Sequence, residues 1–408
     1  MKYITILVDG MADYEIEHLN NKTPLAVANI PTITEMAQKG EVGLVQTVPI
    51  GMSPGSDTAN LSVMSYAPEI YHTGRSPLEA ASMGVELSST DVTFRCNLVT
   101  LSEEEPYEEK TMIDHSSGEI TTEEAKKLIL DIRELLETEL IKYYPGVSYR
   151  HLIVWDKGPF DYKLTPPHDI LEKKIKTHLP SGPNKDILFN MMKKSYDLLK
   201  NHPINLARKE KGLNPANSIW IWGEGKKPKL DSFKSKFGLN GAVISAVDLI
   251  NGIGILAGLK TIEVAGATGT INTNFSGKAE SAIKTLIQGD DFVYVHIEAP
   301  DECSHQGDLD GKIKSIEIID EKIVKPIKKA MEDAGEDFRV LILPDHRTPI
   351  KIRTHSSEPV PYVIYDSRVN NNNPKNNFTE KSATESGNFF DAGEKLMTYL
   401  LKESIRYS

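Results

Sequence analysis

Acidic and imidazole side chains gather late in the chain at spacings that suit a metal site. Asp301 and His305 stand four residues apart in Ala299-Pro-Asp-Glu-Cys-Ser-His305, directly after the apolar run Phe292-Val-Tyr-Val-His-Ile297. A second apolar run, Arg339-Val-Leu-Ile-Leu, leads into Pro344-Asp345-His346, and His355 follows. Such runs read as buried parallel strands covered on both faces. Ligands in open α/β sheets collect at the carboxyl ends of the strands. Asp301, His305, Asp345, His346 and His355 are therefore expected to converge. Mixed carboxylate and imidazole ligands suit Mn²⁺ or Zn²⁺, and the set is large enough for more than one ion. Taken singly, each residue has a plainer reading: a surface or hydrogen-bonded histidine, or Asp345 as the N-cap of a helix. As a set in register at strand ends, they favour the metal reading. Cys303 reads as a small buried hydrophobe rather than a ligand.

Two earlier segments carry further chemistry. The first strand, Lys2 to Val8, ends in Asp9-Gly10, which reads either as a strand-end ligand or as a simple turn; the cluster downstream favours the ligand. The loop Pro49-Ile-Gly-Met-Ser-Pro-Gly-Ser56 runs into a helical pattern, placing Ser56 at or near a helix N-terminus. Backbone N–H groups and the helix dipole favour an anion there, and a metal can make such a hydroxyl a nucleophile. From local sequence alone, Ser56 or Asp57 as a helix cap is the simpler reading. Arg95 alternates with apolar neighbours in Asp91-Val-Thr-Phe-Arg95-Cys-Asn97, and Arg150-His151 is an unusual pair to find in a strand.

The elements that must position these groups divide in two. A chain of 408 residues exceeds one ordinary core. Composition shifts between about 93 and 236, so an inserted α+β domain, 93–236, is expected within a core made of 1–92 and 237–408. The insert holds an amphipathic helix over Glu123 to Lys142, capped by Thr121 or Thr122 with Glu124 behind it. In the core a long helix from Gly311 to Ala330 is interrupted by Pro326. Gly252-Ile-Gly254 lies inside a helical pattern and is no dinucleotide fingerprint.

A net charge of -11 argues against nucleic-acid binding. It does not exclude an anionic substrate, because local arginines or a metal pair can dominate the field in a cleft. Two widely spaced cysteines form no disulfide framework and fit a reducing, cytoplasmic setting. The apolar run at Met1 is too short to span a membrane and shows no signal-peptide pattern.

In order, Asp9-Gly, Gly-Ser56-Asp, Asp301-x-x-x-His305, Asp345-His346 and His355 resemble the metal site of the alkaline phosphatase superfamily. More closely, the chain resembles the archaeal-type cofactor-independent phosphoglycerate mutases. The similarity runs through Val8-Asp-Gly-Met-Ala-Asp13, Pro54-Gly-Ser-Asp-Thr-Ala-Asn-Leu61, Thr73-Gly-Arg75, Phe94-Arg-Cys-Asn97, Ala299 to His305, Pro344-Asp-His346 and His355-x-x-x-Pro-Val-Pro361.

The resemblance implies an α/β, alkaline-phosphatase-like core with a mostly parallel sheet flanked by helices, and an insert that closes over substrate. It implies Ser56 as the phosphorylated nucleophile, with Asp9, Asp345 and His346 around one divalent ion and Asp301, His305 and His355 around a second. The ions would be Mn²⁺ or Zn²⁺, with Mg²⁺ also admissible. The implied reaction interconverts 2- and 3-phosphoglycerate through phosphoserine; the partner is a small phosphorylated metabolite, and the protein a monomer or small homo-oligomer. Arg95, Asn97, Asp114, Arg150 and His151 are the candidates for holding the glycerate or moving its proton, each with a structural salt bridge or hydrogen bond as its alternative. Where the family commonly reads Asp-Arg-Arg-Ala-Gly, this chain has Asp114-His-Ser-Ser-Gly118. Histidine does not reproduce a bidentate arginine clamp. Asn214 to Trp222 and Ala242 to Gly254 resemble a subgroup proposed to act on homoserine. A phosphotransferase or phosphatase acting on another small metabolite is therefore the alternative.

Overall fold

Uninterrupted apolar runs become central strands here because helices cover both faces of the sheet they join. The computed structural model describes residues 1–369 and 371–402. The chain divides into two units, Met1–His72 with Lys229–Ser408, and Thr73–Pro228. The expected limits lay at 92/93 and 236/237. The first limit lies earlier because the helix Ser76–Ser82 packs on strands of the insert rather than on the core, and the second because Phe233 stacks on Phe292 of the core sheet.

The first unit begins with β1 (Lys2–Val8) and β2 (Glu41–Val45). The insert supplies β3 (Val92–Leu101), β4 (Met112–Asp114), β5 (Ile141–Tyr144), β6 (Arg150–Trp155) and β7 (Ser218–Lys226). The first unit resumes with β8 (Gly241–Ile244), β9 (Lys260–Thr261), β10 (Phe292–Ile297), β11 (Phe338–Leu343), β12 (Val360–Asp366) and β13 (Phe389–Phe390). Its eight-stranded sheet has the order β13-β2-β12-β11-β1-β10-β8-β9. Only β12 runs antiparallel to its neighbours, so the sheet is mostly parallel, as expected.

Register places the site. β1 lies between β10 and β11, parallel to both, with Val8 opposite Ile297 and Leu7 opposite Leu343. The three strands therefore end at one level, and the residues that follow each of them share one edge. Ile4, Ile6, Val8, Val293, Val295, Val340 and Ile342 are buried in a single core with the flanking helices.

In the insert, β4, β3, β6 and β5 form a sheet that β7 joins along β3, above a second apolar core. The expected helix over Glu123 to Lys142 is shorter, Thr122–Leu136, and Thr121 accepts from the Glu124 N–H at its start. Ile141–Tyr144 is instead a strand with alternating burial. Its period of two sat at the end of a helical pattern and was read as its continuation. Pro326 splits the long core helix as expected, through a π turn at Asp320–Val324. No helix among the described residues is long and apolar enough to cross a membrane.

A buried ion pair ties two of the site's loops together. The Lys312 ammonium donates to Asp13 Oδ2 at 2.8 Å and to the Thr348 carbonyl at 2.9 Å, and both charged groups are inaccessible. Removing one partner strands the other charge in the interior. Lys312→Met should therefore lower the unfolding free energy by about 3–5 kcal/mol in urea titrations. A loss below about 1 kcal/mol would mean that the pair does not hold these loops.

Candidate active site

The Asp9-Gly10 turn closes the end of β1 against the helix after β10. Gly10 has φ +62°, and a Cβ there would lie 2.6 Å from both Asp301 Oδ1 and Thr348 Oγ1, so no larger residue fits. The Asp9 carboxylate is buried, with Oδ2 3.1 Å from His296 Nε2 and Oδ1 without a hydrogen-bond partner. Asp345 follows β11 in an irregular segment, not at a helix start, so it is not a cap. Its Oδ1 accepts from the backbone N–H groups of Gly10 (3.2 Å) and His346 (2.9 Å). Its Oδ2 is 3.3 Å from His346 Nε2.

Asp301 and His305 lie on the helix Ala299–Gln306, one turn apart and so on one face. His305 Nε2 is 3.1 Å from Asp301 Oδ2 and 3.0 Å from His355 Nε2. His355 Nε2 is 3.5 Å from Asp301 Oδ1, and its ring stacks on that of His346 at 3.9 Å. Ser56 is the first residue of the helix Ser56–Val63, whose cap position is held by Gly55. Its Oγ lies 3.2 Å from His346 Nε2. Asp9, Ser56, Asp301, His305, Asp345, His346 and His355 are thus brought together by strand ends, a helix start and two loops.

Burial and mutual repulsion dominate the electrostatics. Asp9 is held well above the usual carboxylate range, first by burial and then by Asp345, Asp301 and Glu298. Asp301 goes the other way: burial opposes its ionisation, but hydrogen bonds from His305 and His355 outweigh it. Asp301 in turn raises His305 to about 9. Burial pulls His346 down. Ligand atoms of Asp9, Asp345 and His346 lie within 4.8 Å of one another, as do those of Asp301, His346 and His355. Buried carboxylates interleaved with imidazoles, one of them with the unpartnered oxygen Asp9 Oδ1, are a donor set that divalent cations fit. The resemblance assigned His346 to one ion; by position it borders both groups. Cys303 belongs to neither.

Sequence reasoning passed over two neighbours. His296 bridges Asp9 and Ser245 Oγ, the latter at 3.2 Å. Its signal was a polar side chain alternating with apolar ones in Phe-Val-Tyr-Val-His-Ile. Thr348 donates to Asp301 Oδ1 at 2.5 Å and lies 3.2 Å from His346 Nδ1, joining the two groups. Nothing local marked it.

The insert residues sort by what their polar atoms touch. Arg95 is buried, with Nε 3.0 Å from Glu79 and its guanidinium 4.2 Å over the Trp222 ring. Arg150 is exposed, 5.2 Å over Tyr149. Between them runs a ladder of rings, Tyr149 to His115 (5.7 Å), His115 to His168 (6.1 Å) and His168 to Trp222 (5.4 Å). His115, Tyr149, His168 and Trp222 were not among the expected residues. Asn97 is engaged within the insert, accepting from Trp222 Nε1 (2.9 Å) and donating to the His115 carbonyl (3.2 Å). Asp114 caps its own turn through Ser116 (2.8 Å) and Gly118 (2.6 Å) and accepts from Asn214 (2.8 Å). Burial opposes its ionisation, yet these bonds lower its pKa. His151 faces the interior, accepting from the Gly146 N–H at 3.0 Å, and burial draws it to about 3.

An α/β fold with a serine, carboxylates and imidazoles at one sheet edge defines a class of enzyme, and relatives place the chain within it. Residues 37–205 match the family described as 2,3-bisphosphoglycerate-independent phosphoglycerate mutase. A relative from Geobacter sulfurreducens, described as a probable 2,3-bisphosphoglycerate-independent phosphoglycerate mutase, is 48% identical over 98% of this chain and 100% of its own. A mutase of the same description from Methanosarcina barkeri is 48% identical over 94% and 95%. Among solved structures, the PH0037 protein from Pyrococcus horikoshii superposes with a TM-score of 0.81 at 27% identity, covering 100% of this chain and 99% of that one. A cofactor-independent phosphoglycerate mutase from Thermoplasma acidophilum shares the fold, with a TM-score of 0.65 at 24% identity over 98% and 99%. The chain belongs to the 2,3-bisphosphoglycerate-independent phosphoglycerate mutases, a family of isomerases.

His151 yields a pH test. Its unfolded-state pKa is about 6.5, so between that value and about 3 the unfolded chain holds a proton that the folded chain lacks. Stability contributed by the neutral ring is complete above the unfolded pKa and is lost as pH falls through this window. His151→Asn keeps an acceptor for Gly146 and removes the titration. Relative to wild type, its unfolding free energy should rise by up to about 1.4 kcal/mol per pH unit below about pH 6, read by urea unfolding. A difference independent of pH would contradict the buried neutral imidazole.

Proposed function

We propose that this chain interconverts 2-phosphoglycerate and 3-phosphoglycerate, with Ser56 carrying the phosphoryl group between the two hydroxyls. The observation that carries the reading is Ser56 Oγ at the start of a helix, 3.2 Å from His346 and beside both groups of candidate metal ligands. Asp9, Asp345 and His346 would hold one ion, and Asp301, His305 and His355 the other, with Mn²⁺ or Zn²⁺ favoured by the ligand chemistry. Bound there, such ions supply positive charge that lowers the pKa of the serine hydroxyl and balances the phosphoryl oxygens.

Ser56 Oγ attacks phosphorus and the bond to the substrate's C2 oxygen breaks, leaving glycerate with a new hydroxyl proton. The 3-hydroxyl then attacks the phosphoserine, loses its proton, and Ser56 regains its own. The peptide N–H groups at the start of the Ser56–Val63 helix favour the phosphoryl anion. Between the two transfers the glycerate must stay bound and water must stay out, or the outcome is hydrolysis. Arg150, exposed at one end of the ring ladder, offers positive charge and a stacking face on an otherwise acidic chain, while Arg95 at the other end is paired with Glu79. Asp114 and His151 are assigned to the insert's own structure. A small phosphorylated metabolite is the partner, and two buried, unpaired cysteines fit a reducing cytosol.

The loss of the Asp-Arg-Arg pattern at Asp114-His115-Ser116 favours a second reading, phosphoryl transfer to another small hydroxylated metabolite such as homoserine. The 48% identical relatives described as mutases weigh against it. An enolase-coupled assay with 3-phosphoglycerate and Mn²⁺ separates the two. Turnover is expected, together with a phosphoserine that mass spectrometry finds at Ser56; Ser56→Ala should lose both. Full activity in that variant, or release of phosphate from other esters without mutase turnover, would reject the reading.

A further inference from the structure

Asn60 lies one turn after Ser56 on the same helix and is completely buried. Its side-chain Nδ2 donates to the Ser56 carbonyl at 2.9 Å and to Asp345 Oδ2 at 3.1 Å. Its Oδ1 accepts from the Tyr294 hydroxyl at 2.6 Å, and Tyr294 is buried as well. Tyr294 is two residues before His296 on β10, so both project from one face of the strand. One side chain reaches Asp345 through Asn60; the other reaches Asp9 directly.

The phenol settles which end of the amide faces the site. A hydroxyl donated to Oδ1 leaves the NH₂ group for Asp345 and for the backbone of the nucleophile. Without it the amide could turn over, and an oxygen would then face the carboxylate. Asp345 already takes the Gly10 and His346 N–H groups on Oδ1, so Asn60 at 3.1 Å, with the His346 ring at 3.3 Å, orients its other oxygen.

We infer that Asn60, held by Tyr294, is a positioning residue that locks the serine's backbone and the Asp345 carboxylate into one unit and thereby sets the affinity of the ion at Asp9, Asp345 and His346. The inference rests on the proposed two-ion site. Partners behind a ligand of this kind typically change metal affinity by about 10–100-fold. The Asp301 side of the site has its own supports in His305, His355 and Thr348, and touches neither Asn60 nor Tyr294 in the contacts described above.

The test is calorimetric titration of Mn²⁺ into the metal-free full chain, for wild type, Asn60→Ala and Tyr294→Phe. In Asn60→Ala one binding event should weaken about 10–100-fold while the other stays within about threefold. Tyr294→Phe should move the same event in the same direction by less. Steady-state kinetics should show kcat falling with KM for phosphoglycerate little changed. Asn60→Ala leaves a buried hole and could fail to fold; Tyr294→Phe removes a single hydroxyl and then carries the test alone. Equal weakening of both events, or no weakening in either variant, would overturn the inference. Selective loss of one event in a protein that turns over no phosphoglycerate would leave the positioning role standing and reject the mutase reading instead.

Discussion

Negative charge in a dry place is the constraint around which the rest of the molecule is arranged. Asp9, Asp301 and Asp345 are all buried at one sheet edge, and burial first, then the field of the neighbouring carboxylates, holds Asp9 well above the usual carboxylate range. Carboxylates crowded in this way raise the free energy of the folded chain unless protons, imidazoles or cations balance them. His305 provides part of that balance, with its Nε2 3.1 Å from Asp301, and His355 Nε2 faces the same carboxylate at 3.5 Å. A cation pair would complete it, and would do so where a serine hydroxyl waits.

The strands make this crowding unavoidable. Since β1 pairs in parallel with β10 and β11 on either side, the residues following each strand must meet. Gly10 allows the closest approach, and the Lys312–Asp13 pair fastens the loops behind it. Stability and function thus draw on the same contacts: loosening the loops would relieve the repulsion and disperse the ligands together.

Much of the first unit could be read from the amino acids. The runs ending at Ile297 and Leu343 are apolar on both faces, which only a covered parallel strand needs, and their ends predict where ligands meet. The Asp301-x-x-x-His305 spacing was legible as a pair of strand-end ligands, but that the two share one face follows only from the helix Ala299–Gln306. The supports were less legible. Thr348, Asn60 and Ser245 meet the site only through long-range packing, and a hydroxyl or an amide in isolation looks like any other. The insert was harder still. Arg95 stood out by its alternation with apolar neighbours as a candidate for holding the glycerate, yet every residue of β3 is buried and its charge is paired with Glu79 on the helix Ser76–Ser82. Asp114, a candidate for holding the glycerate, also caps its own turn, an arrangement that depends on the conformation of the next four residues.

Assigning the reaction to a cation-supported serine rests finally on the ions themselves. Anomalous diffraction at the manganese edge, from crystals of the full chain grown with Mn²⁺, tests this most directly. Two peaks are predicted per chain, one among Asp9, Asp345 and His346 and one beside Asp301 and His355, both near Ser56. A single peak, or peaks away from that serine, would contradict the account.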